Sequence, residues 1–479
     1  MSSAPERMSR VDTAWLRMDS DVNLMAIVGV WLLEPGVAIE ALRQRIAERL
    51  LLYPRFRQKV VYDALGAHWV EDADFDIRRH VEIAKLPSRR GRRGQSERAA
   101  LQTYIGRQAT VPLDPRFPLW HFALIERFEG GSAVVLRIHH CIGDGIALSS
   151  VVMSIADGGL PPPQRRAAAA EADQPDETEE IDDWLIDRIV KPVTDFAVRG
   201  LARTGDGLAG AFEMLAHPQQ PLRDSARVGW QAAGDLAALA LMADDSPTRL
   251  KGQLGGQKIV AWTDPLALAD VKTVGKAFGC SVNDVLLACV SGAIGRYLRD
   301  EGDDPTGQEI RAMVPVNLRP LDQAWKLGNR FGLAPLVLPI GIANPIERLY
   351  AVRQRMQQLK GSYQPALAFA VLQVAGLLTK PMQDAVLGLF SKKTTAVMTN
   401  VPGPALPIQL CGSTLRQTIF WVPTTGSVGI GVSILSYAGG VQFGLIADTA
   451  RCPQPQQVVD LFAPEFESLL NLALMLPWE

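Results

Sequence analysis

The feature that most restricts the fold of this chain is a segment near its middle that cannot join a packed core. Residues 161–182, PPPQRRAAAAEADQPDETEEID, are rich in Pro, Ala and acidic side chains and almost free of bulky apolar ones. Such a composition buries too little apolar surface to offset the entropy lost on ordering. The chain has 479 residues, which is more than one hydrophobic core usually holds. We therefore predict a flexible linker between two folded halves.

Strand-like and helix-like runs alternate on both sides of this linker. On the N-terminal side, MAIVGVWLLE and GSAVVLRIHH have strand character, and VAIEALRQRIAERL has apolar residues at helical spacing. On the C-terminal side the same alternation recurs in KIVAWTD, SVNDVLLACVSGAIGRYLRD and IRAMVPVNL. The pattern predicts mixed α/β halves at residues 1–160 and 251–479, with a helical crossover over residues 183–250 after the linker.

Charge and cysteine content argue against several classes of protein. The formal net charge is -2, so there is no electrostatic case for nucleic-acid binding. The five cysteines show neither a CxxC pair nor a metal-ligand spacing, which predicts reduced thiols in a cytoplasmic protein and no metal site. No signal peptide or membrane-spanning segment is predicted. The most apolar stretch, residues 366–378, is either a buried helix or a helix that lies on a lipid surface.

Two adjacent histidines at the end of an apolar run are the strongest indication of chemistry. In VVLRIHHCIGDG, strand alternation places Leu136, Ile138 and His140 on one face and His139 on the other. The residues 143–145 then predict a tight turn before a helix. A neutral imidazole at this strand end suits a general base, because its unperturbed pKa is about 6.5. The alternative is two core histidines followed by an ordinary Asp-Gly turn.

The residues around the histidines have separate expected roles. Asp144 is expected to pair with an arginine and fix the turn, and Gly145 to allow close backbone approach or a positive φ. Cys141 lies on the strand face opposite His140, so it is interpreted as packing. No GxSxG sequence provides a serine nucleophile. Capping boxes are predicted at two helix starts, Ser9 to Asp12 and Ser281 to Asp284.

The sequence HHCIGDG matches the HHxxxDG motif of the CoA-dependent acyltransferase superfamily, which includes condensation domains and chloramphenicol acetyltransferase. Further runs resemble one family within it, the bacterial wax ester synthase/diacylglycerol acyltransferase family. These runs are PRFRQKV, FPLWHFALIE, SVNDVLLACVSGAIGRYL, MVPVNLRP, GNRFG, TNVPGP and VSILSYAGGVQFGLIAD. The resemblance extends over residues 11–464, nearly the whole chain.

This resemblance implies a fold and an activity. The expected fold is two chloramphenicol-acetyltransferase-like α/β halves that form a pseudo-dimer with an active-site tunnel between them. The expected activity is direct transfer of a fatty acyl group from acyl-CoA to a long-chain alcohol or a diacylglycerol, which makes wax esters or triacylglycerols. Acyl-CoA is a co-substrate here, and no cofactor is expected. The enzyme is expected in the cytoplasm, in peripheral contact with the inner membrane or lipid inclusions.

The resemblance also implies roles for individual residues. The catalytic set is expected to contain His140 as the general base, together with His139, Asp144, Gly145 and Asn283, the last as a substrate- or His-orienting residue. Arg319 and Asp284 are expected to support the structure, Arg319 as the partner of Asp144. Pro118, Leu119 and Trp120 are expected in the substrate tunnel, with a position in the core left open for Leu119 and Trp120. Two alternatives stay open, another superfamily member of condensation-like or small-molecule type and a lipid-surface protein without turnover.

Overall fold

The structure is a computed structural model that describes residues 5–63, 66–87, 96–159, 242–319, 326–362 and 364–476. The predicted linker at residues 161–182 lies outside the described residues. The same holds for residues 183–241 of the predicted crossover.

The described strands include those predicted from MAIVGVWLLE, GSAVVLRIHH, KIVAWTD and IRAMVPVNL. In chain order they are β1 (Glu6–Arg7), β2 (Ala26–Glu34), β3 (Gln58–Asp63), β4 (Gly66–Glu71), β5 (Val81–Ile83), β6 (Trp120–Phe128), β7 (Gly131–His139), β8 (Lys258–Trp262), β9 (Leu266–Ala267), β10 (Ile310–Asn317), β11 (Phe331–Leu338), β12 (Ala396–Pro402), β13 (Gln409–Leu410), β14 (Ser413–Trp421), β15 (Ile430–Tyr437) and β16 (Gly440–Asp448).

The helices fill the intervals between the strands. In chain order they are α1 (Arg10–Arg17), α2 (Ile39–Arg49), α3 (Ile77–His80), α4 (Glu97–Gln108), α5 (Gly145–Ile155), α6 (Leu268–Phe278), α7 (Val282–Asp300), α8 (Pro345–Lys360), α9 (Gln364–Ala375), α10 (Lys380–Lys392), α11 (Pro455–Asp460) and α12 (Phe462–Leu474). Two 3-10 helices, Leu50–Leu52 and Pro54–Phe56, follow α2.

Two large mixed sheets form the centre of the molecule. The first has the strand order β13-β14-β2-β7-β6-β5, and the second has the order β11-β10-β12-β15-β16-β8 with β9 paired to β16. A small third sheet has the order β1-β4-β3. Helices α6, α7, α8 and α12 supply apolar side chains to the core of the second sheet. The predicted mixed α/β architecture with two halves is therefore confirmed.

The boundary between the sheets does not coincide with the predicted boundary in the sequence. Strands β13 and β14 come from the C-terminal segment, yet β14 pairs antiparallel with β2 and extends the first sheet. Val30, for example, lies opposite Ile419 in this ladder. Without β14 the apolar strand β2 would be an open edge, which invites pairing with other chains. Residues 251–479 therefore contribute to both halves.

An apolar layer joins the two large sheets on the side away from the histidine motif. Val28 and Val30 of β2 pack there with β8 and β14. The rings of Trp262 and Trp421 meet edge to face with centroids 5.6 Å apart. Both indoles are fully buried, and aromatic pairs of this kind add stability beyond their buried area. The two halves therefore share a buried apolar layer.

Helix α9 is part of the core and does not form a lipid-facing surface. Leu367, Phe369 and Leu372 are buried, and the helix packs on β11 and α1. The buried interpretation of residues 366–378 is confirmed, and the alternative of a helix lying on lipid is wrong for this segment. Among the described residues no single helix has the length and apolar composition to cross a membrane, whereas α6 and α7, bent by 98°, meet that test only as a pair.

Candidate active site

The end of β7 is held from both sides, and this fixes the position of the histidine pair. The N–H of His139 donates to the carbonyl oxygen of Leu119 (2.9 Å), at the start of β6. The N–H of His140 donates to the carbonyl oxygen of Met25 (2.7 Å), just before β2. Because side chains alternate along a strand, Leu136, Ile138 and His140 face one way, as predicted.

These three side chains line a cavity of about 570 Å³ between the two large sheets. Its wall includes Met25, Ile27, Gly29 and Trp31 of β2 and further residues of β10, β11, β12, β14 and β15. Helices α1, α5 and α9 close it. The exposed area of the lining is predominantly apolar, and His140 is one of the polar residues within it. A cavity of this size and character is typical of a site for an apolar ligand.

One nitrogen of the His140 imidazole forms a hydrogen bond with a neighbouring side chain. Its Nδ1 lies 2.9 Å from Oδ1 of Asn329. The amide nitrogen of Asn329 donates to Oδ1 of Asp12 (2.8 Å) and to the carbonyl oxygen of His140 (2.7 Å), so the amide oxygen must face the ring. Nδ1 therefore carries the proton. Nε2 is left with a lone pair on the side of the cavity.

Apolar surroundings keep the His140 ring neutral. The indole of Trp15 stacks on it with centroids 4.3 Å apart, and Phe331 lies 5.6 Å away. Burial lowers the pKa of His140 to about 4, against the opposing effects of Asp144 and the Asn329 hydrogen bond. The ring is a free base at neutral pH and can accept a proton.

Asp144 holds the turn and does not contact the imidazole. Its carboxylate caps α5 by accepting from the N–H of Ala147 (3.0 Å), and it accepts from the N–H of Arg330 (3.1 Å). Arg319 completes the site through a buried ion pair at 3.0 Å. The same guanidinium donates to the carbonyl oxygen of Gly328 (2.8 Å). The predicted Asp144–Arg319 pair is present, and it fastens the loop that carries Asn329.

The chain matches family models over most of its length. Residues 8–286 match the wax ester synthase/diacylglycerol acyltransferase catalytic domain, and residues 327–470 match the WS/DGAT C-terminal domain. The chain belongs to the wax ester synthase/diacylglycerol acyltransferase family. It is an acyltransferase.

Relatives of this family member are found in mycobacteria. The chain is 27% identical over 452 residues to a protein of Mycobacterium tuberculosis (strain ATCC 25618 / H37Rv) that carries the name diacylglycerol O-acyltransferase, covering 92% of this chain and 90% of the relative. A second protein of that strain with the same kind of name is 26% identical over 488 residues, covering 98% and 97%.

Solved structures show the same fold. The wax ester synthase/diacylglycerol acyltransferase from Marinobacter aquaeolei VT8 matches with a TM-score of 0.64 at 18% identity, over 98% of this chain and 100% of that one. The first condensation domain of the calcium-dependent antibiotic synthetase matches with a TM-score of 0.55 at 15% identity, over 99% and 97%. At these identities the likeness concerns the fold alone.

In this acyltransferase His139 lies outside the cavity. Its Nδ1 accepts from the N–H of Cys141 (3.1 Å), and its Nε2 lies 3.4 Å from a carboxylate oxygen of Asp19. Cys141 is also buried away from the cavity, and burial raises the pKa of its thiol well above the usual value. A protonated, inaccessible thiol is a poor nucleophile, which agrees with the packing role predicted for Cys141.

Gly145 lines the cavity as the first residue of α5, but the expected positive φ is not observed. A Cβ at this position would meet Cγ2 of Val401 at 3.6 Å, which is an ordinary contact. The glycine with the left-handed backbone in this region is Gly328, at φ +107°. That conformation turns the chain so that Asn329 reaches His140.

The expectation that Pro118, Leu119 and Trp120 line the substrate tunnel is wrong for this cavity, because none of them is among its lining residues. All three are buried in the core of the first half. The indole N–H of Trp120 donates to the carbonyl oxygen of Phe56 (2.9 Å), and the ring stacks on His80. Their contribution to the site is the hydrogen bond from His139 to Leu119.

Asn283 does not contact His140, so the His-orienting alternative for it is wrong. It lies at the start of α7, lines a smaller cavity, and accepts a short hydrogen bond from the side-chain amide of Asn400. Asn400 in turn lines the main cavity, and a substrate-orienting role for Asn283 stays a prediction. Asp284 completes the predicted capping box, since Ser281 and Asp284 bond reciprocally at 3.2 and 2.8 Å.

The sequence analysis missed Asp12, Trp15 and Asn329. Ser9 does cap α1 by accepting from the N–H of Asp12 (3.0 Å), but the Asp12 carboxylate bonds to Asn329 in place of the predicted capping contact. Burial raises the pKa of Asp12, while hydrogen bonds from Asn329 and Ser9 oppose this. The run GNRFG was the available signal, because it contains an amide directly after a glycine.

Proposed function

We propose that this acyltransferase moves a fatty acyl group from acyl-CoA to the hydroxyl of a long-chain alcohol or a diacylglycerol, with His140 as the general base. The observation that carries the proposal is the geometry of His140. Its Nδ1 bonds to Asn329 and its ring lines the apolar cavity between the sheets. A neutral imidazole with a free Nε2 in such a place is suited to take a proton from a bound hydroxyl.

The proposed reaction needs one base and no covalent enzyme intermediate. Nε2 of His140 takes the proton of the acceptor hydroxyl as the oxygen attacks the thioester carbonyl carbon. The tetrahedral intermediate then collapses, the carbon–sulfur bond breaks, and CoA leaves as a thiolate. The protonated Nε2 returns its proton to the sulfur, so the products are an ester and free CoA. The base is thereby regenerated for the next cycle.

The hydroxyl groups near His140 support direct transfer. Ser149 and Ser150 line the cavity, but their hydroxyls donate to the carbonyl oxygens of Gly145 and Ile146 within α5. Neither has a base as its acceptor, so neither is activated as a nucleophile. The long apolar wall of the cavity accommodates alkyl chains and offers little to a polar acceptor such as an amine.

The test is acceptor-dependent release of the CoA thiol from palmitoyl-CoA by the purified full chain. Hexadecanol, a diacylglycerol and buffer alone are run in parallel with His140→Ala. His121→Ala is the matched control, since His121 lies outside the cavity and 3.4 Å from Glu82. We expect release with at least one lipid acceptor, its loss in His140→Ala by about 100-fold or more, and full activity in His121→Ala.

Two results would remove the proposal. One is a wild type that releases no CoA with either lipid acceptor. The other is a folded His140→Ala variant that keeps the wild-type rate. The acceptor preferred by the wild type assigns the product class, wax ester or triacylglycerol.

The proposal includes a location, because substrates this apolar reside in membranes and lipid inclusions. We place the enzyme in the cytoplasm in peripheral contact with those surfaces, through residues other than the buried side chains of α9. Co-flotation of the purified chain with liposomes tests this placement. A chain that stays entirely in the aqueous fraction contradicts it.

A further inference from the structure

We infer that Asn329, anchored by Asp12, is the positioning residue that fixes His140 in the tautomer with its proton on Nδ1, so that Nε2 is the base. The inference rests on the proposed function, in which His140 accepts the proton of the substrate. Neither residue lies in the HHxxxDG motif. Asn329 lies 189 residues after His140 in the sequence, and Asp12 lies 128 residues before it.

Its surroundings fix the orientation of the Asn329 amide. Its nitrogen faces two acceptors, the carbonyl oxygen of His140 at 2.7 Å and the Oδ1 of Asp12 at 2.8 Å, which also accepts from the backbone N–H of Asn329. An amide rotated by 180° would place its oxygen against both of them and lose two hydrogen bonds in a buried site. The oxygen is therefore held toward Nδ1, which must donate.

The backbone of Asn329 is also anchored. Its own N–H donates to the same Oδ1 of Asp12 (3.1 Å), so one carboxylate oxygen holds both the main chain and the side chain. Gly328 adds rigidity, because its N–H donates to the carbonyl oxygen of Ile142 (3.0 Å) and its carbonyl accepts from Arg319. The amide is thus fixed to the turn that follows His140 by bonds on each side.

The amide also determines the charge next to the imidazole. A carboxylate at Nδ1 would stabilise the imidazolium and raise its pKa, whereas a neutral amide fixes the tautomer without adding charge. The charged side chains nearest the ring are Asp144 on its own segment, with Arg319 beyond it, and Asp12 behind Asn329, while His139 lies on the other face of the strand. Because an amide adds no charge at Nδ1, burial remains the dominant effect on the pKa of His140 and lowers it.

The experiment compares three full-length variants with the wild type. Asn329→Leu removes the acceptor at similar size, Asn329→Asp keeps an acceptor and adds charge, and Asp12→Asn keeps the shape but removes the charge of the anchor. Two readouts are used, the ¹⁵N resonances of the His140 ring in substrate-free protein labelled with [¹⁵N]histidine, and kcat and KM with the best acceptor. His140→Gln assigns the resonances.

We expect Asn329→Leu to lower kcat by about 100-fold with little change in KM, the upper end of the loss typical of groups that orient a functional histidine. In this variant the ¹⁵N resonances of the His140 ring should no longer show the Nδ1–H tautomer alone. Asn329→Asp should also lower kcat although it keeps an acceptor for Nδ1, because its second oxygen replaces the amide donor and faces Oδ1 of Asp12 and the carbonyl oxygen of His140. Asp12→Asn should show a smaller loss in the same direction, which keeps the test valid if Asn329→Leu does not fold.

The inference is overturned if a folded Asn329→Leu keeps the wild-type kcat, or loses kcat while the His140 tautomer stays unchanged. An upward shift of KM without a change of kcat also contradicts it. Failure of the proposed function is recognised separately. In that case the ring nitrogens still show the Nδ1–H tautomer, but turnover does not depend on His140.

Discussion

At the scale of single residues, the side chains that contact the His140 ring are uncharged. Trp15 covers one face of the His140 ring, and an amide occupies Nδ1 where a carboxylate would raise basicity. The result is a base of low pKa that is always in its working form at neutral pH. A weak base gains less driving force for proton removal. In the proposed reaction, the compensation is that the imidazolium would return its proton readily to the leaving thiolate.

This environment predicts the pH dependence of turnover. His140 is active when neutral, and burial lowers its pKa to about 4, so kcat/KM should stay flat from neutral pH down to about pH 5 and fall below that. The sign follows from the base role, since protonation removes activity. The profile is measured by thiol release with short pre-incubation and a stability control at each pH. An acidic limb near the ordinary histidine value of about 6.5 would contradict this prediction.

His140 was predicted from the sequence as a candidate general base, whereas the residues that hold its ring were not predicted. His140 could be predicted because strand alternation and the Gly-Asp-Gly turn are local properties of the chain. Asp12 could not, because a Ser at N-cap with an Asp three residues later has the same spacing as a capping box. Asn329 acts across 189 residues, and no local pattern encodes such a contact. Arg319 was found only through a family resemblance.

At the scale of elements, strand β2 forms the floor of the cavity. Met25, directly before the strand, and Ile27, Gly29 and Trp31 within it line the cavity, and Met25 is level with His140, whose N–H donates to the Met25 carbonyl oxygen. At 3.3 Å per residue, the six steps from Met25 to Trp31 span roughly 20 Å. Gly29 leaves the middle of this path open, and the indole of Trp31 stands at its far end.

This arrangement predicts that residues along β2 determine which alkyl-chain length the enzyme prefers. Gly29→Val should favour shorter acyl-CoA, because a Cβ at Gly29 meets only ordinary contacts near 3.4 Å and a larger side chain must enter the cavity. Trp31→Ala should favour longer chains. The measurement is kcat/KM for acyl-CoA substrates from octanoyl to stearoyl, with an expected shift of selectivity of about tenfold.

The control for this prediction lies on the same strand. Val28 is buried on the opposite face of β2, in the layer that joins the sheets, so Val28→Ile should leave the chain-length profile unchanged. Equal profiles for Gly29→Val, Trp31→Ala and the wild type would show that alkyl chains do not lie along β2.

The positions of individual helices and strands were predicted better than the pairing between strands. The positions of β2, β7 and β8 and the capping box of α7 follow from local periodicity and capping chemistry. The pairing of β14 with β2 does not, because pairing between distant strands depends on which edges are left open after each half has formed. The same limit explains Trp120, whose apolar motif fits a tunnel wall and a core equally well.

At the scale of the whole molecule, two segments of chain are interlocked. The segment after residue 242 extends the sheet of the first half through β14, and Lys258 donates to the side chain of Asn23 (2.7 Å). Gln383 donates to the carbonyl oxygen of Ala14 (2.8 Å). These contacts hold the halves together independently of the chain that connects them in sequence.

The interlocking predicts the behaviour of a cleaved chain. A protease site inserted after Ala170, within the predicted linker, should yield two fragments that co-elute as one species and keep near-wild-type turnover, since β14 and the apolar layer remain in place. Size-exclusion chromatography and the thiol-release assay check this. Fragments that elute separately without denaturant would show that the connection, and not the interface, holds the halves.

The distance of Asn329 from His140 along the chain also has a consequence during synthesis. When the first 300 residues have been translated, the strand that carries HHxxxDG has left the ribosome. Asn329, whose amide contacts His140, has not yet been translated. Domains generally fold in order as they emerge, so the N-terminal sheet can form before β14 and the GNRFG loop exist. An unfinished chain therefore contains His140 without the amide that we propose fixes its tautomer, and on that proposal it should not turn over acyl-CoA before residue 329 has emerged.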